Sequence, residues 1–503
     1  MKLFNLSVLF GLFLLIGCKT NQPALVNTAP LEEVIIEERD LDTMVVTAPK
    51  PNKLKTPQEY SLPPYAPSFT LDNDLLHTIL DLRFNWAEEL VYGKATLKLQ
   101  PWFYPTNQVR LDAKDFDFHS ITLVGEQEQL KYDYDGSQII IYLGKTFTRT
   151  EQYELLIDYT ARPSRMGGQG GSAAITSDQG LFFINPKGEE PDKPTQIWTL
   201  GETEWNSRWF PTIDKPNERC TQEMYLTVED KYQTLSNGLM LSSTKNADGT
   251  RTDYYKMDQP HAPYLFMITI GEFAVEKESW EGIPLEYYVE HDYKESAKNI
   301  FAHTPEMLTF FSKITGVKFP WPKYSQVVVR DFVSGAMENT TGVTFGDFVQ
   351  KTNRELIDNH NDGIVAHELF HHWFGDYVTC ESWSNLTMNE GFANYSEYLW
   401  FEHKYGVDDA DRHRQSEMRG YLESTATGGA HPLIHFGVAD KEDMFDAHSY
   451  NKGGLVLHML RNYIGDDAFF ATLEKYLKDN AYAAVEAHDL RLVTEEVCGQ
   501  DFN

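Results

Sequence analysis

Two histidines and two glutamates between residues 361 and 390 have the types and spacing of a catalytic metal site. His367 and His371 are four residues apart, so on a helix both imidazoles point to one side and can bind the same metal ion. Glu368 follows the first histidine and would lie beside the ion, where a general base for an activated water is needed. Glu390, with eighteen residues between it and His371, is the candidate third ligand, which leaves a fourth position open.

The alternative to a metal site is a surface helix whose histidines are hydrated. Apolar residues argue against it, because they cover most sides of a helix predicted over residues 364–374: Ile364, Val365, Leu369, Phe370, Trp373 and Phe374. Gly375 is a suitable residue to end that helix. Imidazoles and carboxylates on a buried helix need partners, and one zinc ion per chain would provide them.

A further glutamate has the spacing needed to orient a metal ligand. Glu397 follows Glu390 by seven residues, two helical turns, so both side chains would lie on nearly the same face. From there Glu397 could accept a hydrogen bond from a ligand imidazole and fix its tautomer. A solvated glutamate on the helix surface is the alternative that the spacing leaves open.

Length and composition place these residues in a globular protein of two or three domains. The chain has 503 residues, 41% of them hydrophobic and 24% charged, which is too long for one ordinary domain and too apolar for a disordered chain. A formal net charge of −31 argues against nucleic acid as a partner. Cys220, Cys380 and Cys498 are far apart, so at most one disulfide could form, and the sequence does not identify it.

The first residues have the pattern of a targeting segment. An apolar run from residue 8 to residue 17 is too short to span a bilayer as a helix, and it ends in Leu15-Ile16-Gly17-Cys18. This sequence resembles the signal of bacterial lipoproteins, whose cysteine is lipidated, and so predicts an envelope protein held to a membrane through Cys18. An ordinary signal peptide is the alternative. Residues 19–67, rich in Pro, Thr and Asn, are predicted to be a disordered tether.

The chain from residue 68 to residue 273 has the pattern of an all-β domain. Alternating or β-rich runs recur in it at residues 95–100, 138–143, 153–159 and 223–228. Asn237-Gly238 and Asp248-Gly249 are typical of hairpin turns. Because no stretch of helical periodicity interrupts these runs, we expect a single β domain here.

After residue 274 the pattern becomes α+β. Predicted helices cover residues 293–316, 364–374, 391–405, 453–464, 468–479 and 488–497, and a predicted strand covers residues 326–330. Residues 274–503 are therefore expected to form a second domain, which contains the candidate metal site.

Four motifs, in order along the chain, resemble the M1 zinc aminopeptidases, or gluzincins. They are Gly335-Ala336-Met337-Glu338-Asn339, His367-Glu368-Leu369-Phe370-His371, Asn389-Glu390-Gly391-Phe392-Ala393 and Tyr450-Asn451-Lys452-Gly453-Gly454. The resemblance implies a saddle-like antiparallel β domain followed by a thermolysin-like α+β zinc peptidase domain. It also implies a zinc-activated water that hydrolyses the N-terminal bond of peptides with a free N-terminus.

The resemblance assigns catalytic roles to two residues beside the metal. Glu368 would take the proton of the activated water and return it to the leaving amine. The phenol of Tyr450 would donate a hydrogen bond to the oxyanion that forms during peptide hydrolysis.

The resemblance also identifies residues that bind substrate. Glu338 would bind the α-ammonium group of the peptide. The residues before it, of which glycine and alanine let a backbone approach closely, are Gly335, Ala336 and Met337. Glu202 is implied as a second acidic group, since it stands ahead of Phe210-Pro211, and Glu204 remains the alternative.

The C-terminal end of the chain departs from the family. The chain stops where family members continue into a helical C-terminal domain, so the catalytic domain is expected to be truncated. Two other functions remain as alternatives: a thermolysin-like endopeptidase, which would have no use for Glu338, and a non-catalytic peptide-binding relative, which would need no base beside a metal.

Overall fold

The N-terminal half of the chain is built from β-sheets. The computed structural model describes residues 65–166, 172 and 174–503. The strands of the first half are β1 Asn73–Asn85, β2 Leu90–Pro101, β3 Thr106–Asp112, β4 Phe116–Leu123, β5 Lys131–Tyr134, β6 Gln138–Phe147, β7 Tyr153–Ala161, β8 Leu181–Ile184, β9 Gln196–Thr199, β10 Cys220–Glu229, β11 Gln233–Ser236, β12 Leu239–Lys245, β13 Thr250–His261 and β14 Ile268–Gly271. A one-turn helix, α1 Pro163–Met166, follows β7.

The largest sheet of this half has the strand order β12-β13-β10-β1-β2-β7-β4, and a smaller sheet has the order β3-β6-β5. Neighbouring strands are antiparallel, with Leu80 of β1 opposite Ala95 of β2. One pair departs from the expected antiparallel pattern, because β1 and β10 run parallel, with Leu80 opposite Met224. The long connection between these two strands makes a parallel crossover possible.

A third sheet, β11-β14-β9-β8, lies between two hydrophobic cores. All of its residues except Gln233 are buried, on both faces of the sheet. Trp198 and Met267 belong to the core of the second half of the chain, whereas their neighbours Ile197 and Ile268 belong to the core of the first half. Since successive side chains of a strand point to opposite faces, this central sheet joins both cores.

The second half is an α+β domain. Its elements are β15 Ala274–Trp280, β16 Ile283–Val289, α2 Ala297–Ile300, α3 Thr304–Ile314, β17 Tyr324–Val329, β18 Ala336–Met337, β19 Gly342–Gly346, α4 Asp362–His371, β20 Thr379–Cys380, α5 Thr387–Tyr405, α6 Val407–Gly428, α7 Gly453–Ile464, α8 Asp466–Asp479, β21 Ala484–Val485 and α9 Ala487–Cys498. The main sheet has the order β15-β16-β17-β19-β18. Strands β16, β17 and β19 are parallel, and β18 is an antiparallel edge strand.

Three details of the expected elements are wrong. The helix predicted over residues 293–316 is broken into α2 and α3, because Pro305 lies in the first turn of α3 and cannot continue a preceding helix. Helix α6 was not predicted, since only Ala410 is buried along it and its sequence has no apolar stripe. Asn237-Gly238 does not form a hairpin, because β11 and β12 belong to different sheets.

No disulfide joins the described cysteines, and the N-terminal segment lies outside the described residues. Cys220, Cys380 and Cys498 are free. In the part of the chain that the structure describes, no helix combines the length and apolar composition needed to cross a bilayer. Cys18 and residues 19–64 of the predicted tether lie outside the described residues.

Candidate active site

Helices α4 and α5 bring the three predicted metal ligands to one point. His367 and His371 project from the same side of α4, and Glu390 projects from the first turn of α5. The Oε2 atom of Glu390 lies 3.2 Å from Nε2 of His367 and 3.4 Å from Nε2 of His371. The ring of Phe374, in the turn after α4, stacks at 4.1 Å on the ring of Phe392 in α5 beside this point.

The donor atoms fit a zinc ion. Zinc binds imidazole nitrogen and carboxylate oxygen at about 2.0–2.2 Å, so a tetrahedral site places its donor atoms roughly 3.3–3.5 Å apart. The two distances from Glu390 to His367 and His371, 3.2 and 3.4 Å, are close to this separation. Two imidazoles and one carboxylate are also a donor set that catalytic zinc sites use.

Hydrogen bonds on the far sides of the rings set the tautomers. Nδ1 of His367 lies 2.9 Å from Oε1 of Glu397, and Nδ1 of His371 lies 3.0 Å from the carbonyl oxygen of Phe374. Because both acceptors lack hydrogens, each Nδ1 donates, and each Nε2, which faces Glu390, is the atom left to bind a metal ion. Glu397 therefore lies where its spacing predicted. Its second oxygen is 3.5 Å from Nε2 of His413, a contact that the sequence did not indicate.

Glu368 lies on the same helix with a free carboxylate oxygen. Its side chain is buried, and among the described residues Oε2 has no hydrogen-bond partner. Burial raises the pKa of Glu368 to about 8, against the opposing effect of His367 and His371. For Glu390 burial also acts to raise the pKa, but the adjacent imidazoles outweigh it and hold that pKa at about 2. The two glutamates thus differ in what they can do: Glu390 stays ionised, and Glu368 can exchange a proton.

Strand β18 places Glu338 at the other wall of the site. Among the described residues, Ala336 and Met337 pair only with β19, so the other edge of β18 keeps backbone groups available for an extended chain. Glu338 follows directly, is buried, and has an Oε1 atom without a partner in the described residues. Burial raises the pKa of Glu338.

The loop after Glu338 is held from both halves of the chain. The N–H of Thr341 donates to Nε2 of His372, and Oγ1 of Thr341 accepts from the N–H of Gly238 at 2.8 Å. Asn237 donates to the carbonyl oxygen of Thr340 at 2.8 Å. Thr341 has a φ of 69°, a left-handed conformation that β-branched residues rarely adopt. These bonds therefore hold a strained loop that fixes the position of Glu338.

Glu202, rather than Glu204, faces the cavity. Glu202 is buried, and its Oε1 atom has no partner within the described part of the chain. Burial and the nearby Glu338 raise its pKa well above the ordinary value. Glu204 instead pairs with Lys215 at 2.5 Å and accepts from the Trp383 indole at 3.1 Å. The sequence left these two residues as alternatives, and the structure separates them.

Tyr450 lies above the first metal ligand. Its ring is 6.0 Å from the ring of His367 and nearly parallel to it, at 13°. Burial raises the pKa of Tyr450 well above 10, and Glu390 and Glu202 add to this effect. The phenol therefore keeps its proton and can donate it in a hydrogen bond.

These residues surround one cavity of about 400 Å³. Every residue predicted for catalysis, metal binding or substrate binding lines it, namely Glu202, Gly335, Ala336, Met337, Glu338, His367, Glu368, His371, Glu390, Glu397 and Tyr450. Five residues that the sequence analysis missed complete the wall: Ala174, Ile175, Leu200, Ser334 and Ile364. Ser334 directly precedes the Gly335 motif and Ile364 lies one helical turn before His367 on α4, whereas no motif or spacing marks Ala174, Ile175 and Leu200.

The cavity is strongly acidic and has an acidic cluster on one side. Glu202, Glu338 and Glu390 each offer an oxygen, and these three atoms lie within 4.8 Å of one another. Buried carboxylates so close together repel each other unless cations lie between them. The site is therefore arranged to bind positive charge, at the metal position and next to it.

Family models and curated relatives agree with this geometry. A model described as the peptidase family M1 domain matches residues 300–503, and one described as the peptidase M1 N-terminal domain matches residues 56–265. Glutamyl aminopeptidase of Bitis rhinoceros is 29% identical over 302 residues, which are 58% of this chain and 31% of that protein. Aminopeptidase M1-B of Oryza sativa subsp. japonica is 31% identical over 300 residues, 58% and 34% of the two chains. The chain thus spans about a third of the length of these relatives.

Two solved structures share the fold. One is a mutant M1 zinc metallopeptidase from Deinococcus radiodurans bound to a Tyr-Ser-Ala substrate, with a TM-score of 0.68 and 21% identity over 85% of this chain and 92% of that chain. The other is a mutant two-domain M1 zinc metallopeptidase bound to L-tryptophan, with a TM-score of 0.70 and 20% identity over 88% and 93% of the chains. At these identities the likeness supports the fold alone.

Proposed function

Because the chain belongs to peptidase family M1, we propose that it is a zinc-dependent aminopeptidase that hydrolyses the N-terminal bond of peptides. His367, His371 and Glu390 would hold one zinc ion per chain. When bound, zinc supplies a Lewis acid that polarises water and the scissile carbonyl group. The observation that carries the proposal is the pair of buried carboxyl oxygens, on Glu202 and Glu338, without partners among the described residues beside the metal ligands.

Glu368 would carry out the proton transfers of the reaction. Its free Oε2 atom is buried next to the metal ligands, so it can accept a proton from the attacking water without moving a partner away. The same carboxyl group can then return the proton to the leaving amine. Tyr450, which keeps its proton, donates a hydrogen bond to the oxygen that gains charge during the attack.

Glu202 and Glu338 would recognise the peptide by its α-ammonium group. An ammonium group has three N–H donors and a positive charge, which matches two buried carboxyl groups that lack partners within the described residues. The bonds formed are charge-assisted and therefore strong. An internal peptide bond has no α-ammonium group next to it, so an internal segment would leave both carboxylates buried and unpaired at that position. This favours an aminopeptidase over an endopeptidase. The free edge of β18 could pair with the peptide backbone.

A comparison of free and blocked substrates tests this function. The protein should hydrolyse aminoacyl-coumarins, and acetylation of the substrate amine should abolish the hydrolysis. Equal hydrolysis of both substrates would support the endopeptidase alternative. Removal of zinc by a chelator should stop the reaction, and metal analysis should give one zinc per chain. A protein that binds no zinc and hydrolyses neither substrate would support the non-catalytic alternative.

We propose further that the protein is a lipoprotein of the bacterial cell envelope, anchored through Cys18. The support is the short apolar run that ends in Leu15-Ile16-Gly17-Cys18, together with about 45 residues rich in Pro, Thr and Asn that could serve as a tether. Mass spectrometry of the protein expressed in bacteria should find a lipidated N-terminal Cys18 and membrane-bound protein. Cys18→Ser should remain unlipidated. An unmodified Cys18 in the mature wild-type protein would disprove the anchor.

A further inference from the structure

A second cluster of titratable side chains lies outside the zinc ligands, just before Tyr450. Nε2 of His431 and Nδ1 of His448 both lie 2.7 Å from Oδ2 of Asp446. The rings of the two histidines stack, with centroids 3.7 Å apart. His448 is almost fully buried, whereas His431 and Asp446 are partly exposed.

Within the described residues, every ring nitrogen of this cluster already has a hydrogen-bond partner. The main-chain N–H of His431 donates to Nε2 of His448 at 3.2 Å, so the proton of His448 is on Nδ1 and is donated to Asp446. Nδ1 of His431 faces the carbonyl oxygen of Pro432 at 2.7 Å. Both nitrogens of His431 therefore face oxygen acceptors, and Nε2 donates to the Asp446 carboxylate.

The other oxygen of Asp446 holds the main chain that leads to Tyr450. Oδ1 accepts from the N–H groups of His448 and Ser449, at 2.9 and 3.2 Å. The carbonyl oxygen of Asp446 accepts from the N–H of Tyr450 at 3.2 Å. These bonds form the start of a π-helical turn, His448–Lys452, an uncommon geometry that needs support from its surroundings.

The Asp446 side chain thus links two sets of hydrogen bonds. Asp446 accepts two imidazole N–H groups through one oxygen and two main-chain N–H groups through the other. Burial acts to raise the pKa of Asp446, but the hydrogen bonds from His431 and His448 outweigh it and lower that pKa. An ionised acceptor binds N–H donors more strongly than a neutral one, so the histidines keep Asp446 in the form that holds the turn.

We propose that Asp446, oriented by His431 and His448, is a positioning residue for Tyr450. The inference rests on the proposed function, in which the Tyr450 phenol stabilises the oxyanion. The phenol must point at the reacting oxygen to within fractions of an ångström, and the turn that begins at Asp446 sets its direction. Loss of the Asp446 carboxylate moves the phenol without removing it, and this lowers kcat more than it changes KM.

A double-mutant cycle tests the coupling. Tyr450→Phe should lower kcat by about 10²–10³, the usual effect of removing an oxyanion donor. Asp446→Asn should lower kcat by about tenfold or more with KM changed less than about threefold. In the Tyr450→Phe background, Asp446→Asn should lower kcat by less than about twofold, because residues that act through one group are not additive. Effects that multiply would overturn the inference.

Hydrogen exchange gives a second readout that needs neither zinc nor turnover. In the metal-free protein, amides of residues 446–453 should exchange faster in Asp446→Asn than in the wild type. Unchanged exchange there would refute the positioning role. If Asp446→Asn does not fold, His431→Gln, which removes one donor to Asp446, should show the same two effects to a smaller degree.

Controls separate this inference from the function on which it rests. His435 stacks on His431 at 4.6 Å, but no hydrogen bond joins its side chain to Asp446 within the described residues, so His435→Gln should leave kcat and exchange unchanged. A wild-type protein that is inactive towards aminoacyl-coumarins would refute the proposed function, whereas full activity in Tyr450→Phe would refute the role of Tyr450 and this inference with it. Full activity and unchanged exchange in Asp446→Asn would refute only the inference.

Discussion

The carboxyl groups of the site form two sets: those that face imidazoles, and those with a buried oxygen that has no partner among the described residues. Glu390 and Glu397 face imidazoles, which suits them to the proposed roles of metal ligand and of support for a ligand. Glu202, Glu338 and Glu368 each keep one buried oxygen without a partner among the described residues. Since a buried carboxylate without a partner is costly, these three oxygens mark where substrate, water and proton are expected to bind.

Substitution of the base should remove catalysis and leave metal binding intact. In Glu368→Gln we expect kcat to fall by about 10²–10⁴, the usual contribution of a general base. Zinc content should stay the same, because Glu368 is not a ligand, and this is checked by metal analysis beside the kinetics. Near-normal kcat in a zinc-loaded Glu368→Gln protein would contradict the assigned role.

Glu202 and Glu204 form a matched pair for testing ammonium recognition. Glu202→Gln should lower kcat/KM for a free aminoacyl substrate by about 10- to 150-fold, since a charge-assisted hydrogen bond contributes about 1.5–3 kcal/mol. Glu204→Gln removes the same charge, but from a side chain that pairs with Lys215 outside the cavity, so its kcat/KM should stay near the wild-type value. The reverse order of effects would show that Glu204 is the recognition residue.

Whether the role of a residue could be predicted from the sequence depends on what positions its side chain. The ligands His367 and His371 follow from spacing alone, because one helix fixes both side chains. The sequence could not decide between Glu202 and Glu204, because in an irregular turn no spacing rule says which side chain points into the cavity. Ile175 and Leu200 could not be predicted, since sheet packing across a large sequence separation places them in the cavity.

Among the elements, α5 organises the site because it contacts both α4 and the turn before α7. It carries Glu390 and Glu397 two turns apart on one face. Its Gly391 lies against Gly453, the first residue of α7, so closely that a Cβ on Gly453 would be 2.8 Å from the Cα of Gly391. This approach brings the Tyr450 turn against the helix that holds the third ligand.

A methyl group at this contact should push the two helices apart. Gly453→Ala is expected to destabilise the protein by about 1–3 kcal/mol, as overpacking commonly does, and to lower kcat because the Tyr450 turn shifts. Thermal unfolding and kinetics measure the two effects. The control is Gly428→Ala at the end of α6, where an added Cβ meets nothing within 4 Å among the described residues. Equal stability of both variants would refute the close contact.

Elements with an apolar stripe could be predicted, and others could not. The helix that carries the His367 pair and α7 were expected because their buried residues recur with helical spacing. Helix α6 has a polar sequence on nearly all sides, so no stripe marks it. The sequence Asn237-Gly238 is typical of a hairpin, but the Asn237 side chain instead bonds the carbonyl oxygens of Leu265 and Thr340. Tertiary contacts overrode the local preference there.

At the scale of the whole molecule, the central sheet β11-β14-β9-β8 makes the two halves depend on each other. One face packs in each hydrophobic core, and the strand end after β9 supplies Leu200 and Glu202 to the cavity. Asn237, which directly follows β11, donates a hydrogen bond to the carbonyl oxygen of Thr340, in the loop that follows Glu338. The β domain is therefore part of the site and not only an attachment to it.

Shared burial of this sheet predicts that both halves unfold together and that zinc stabilises both. Calorimetry should show one transition for the described part of the chain, with equal calorimetric and van't Hoff enthalpies.

Free zinc at 100-fold above its Kd should stabilise the folded state by about 2.7 kcal/mol. Hydrogen exchange in strands β1 and β2, which contain none of the zinc ligands, should slow together with exchange in α4. His371→Gln, which lacks a ligand, should lose most of this response. Two transitions, with zinc shifting only one, would show that the central sheet does not couple the halves.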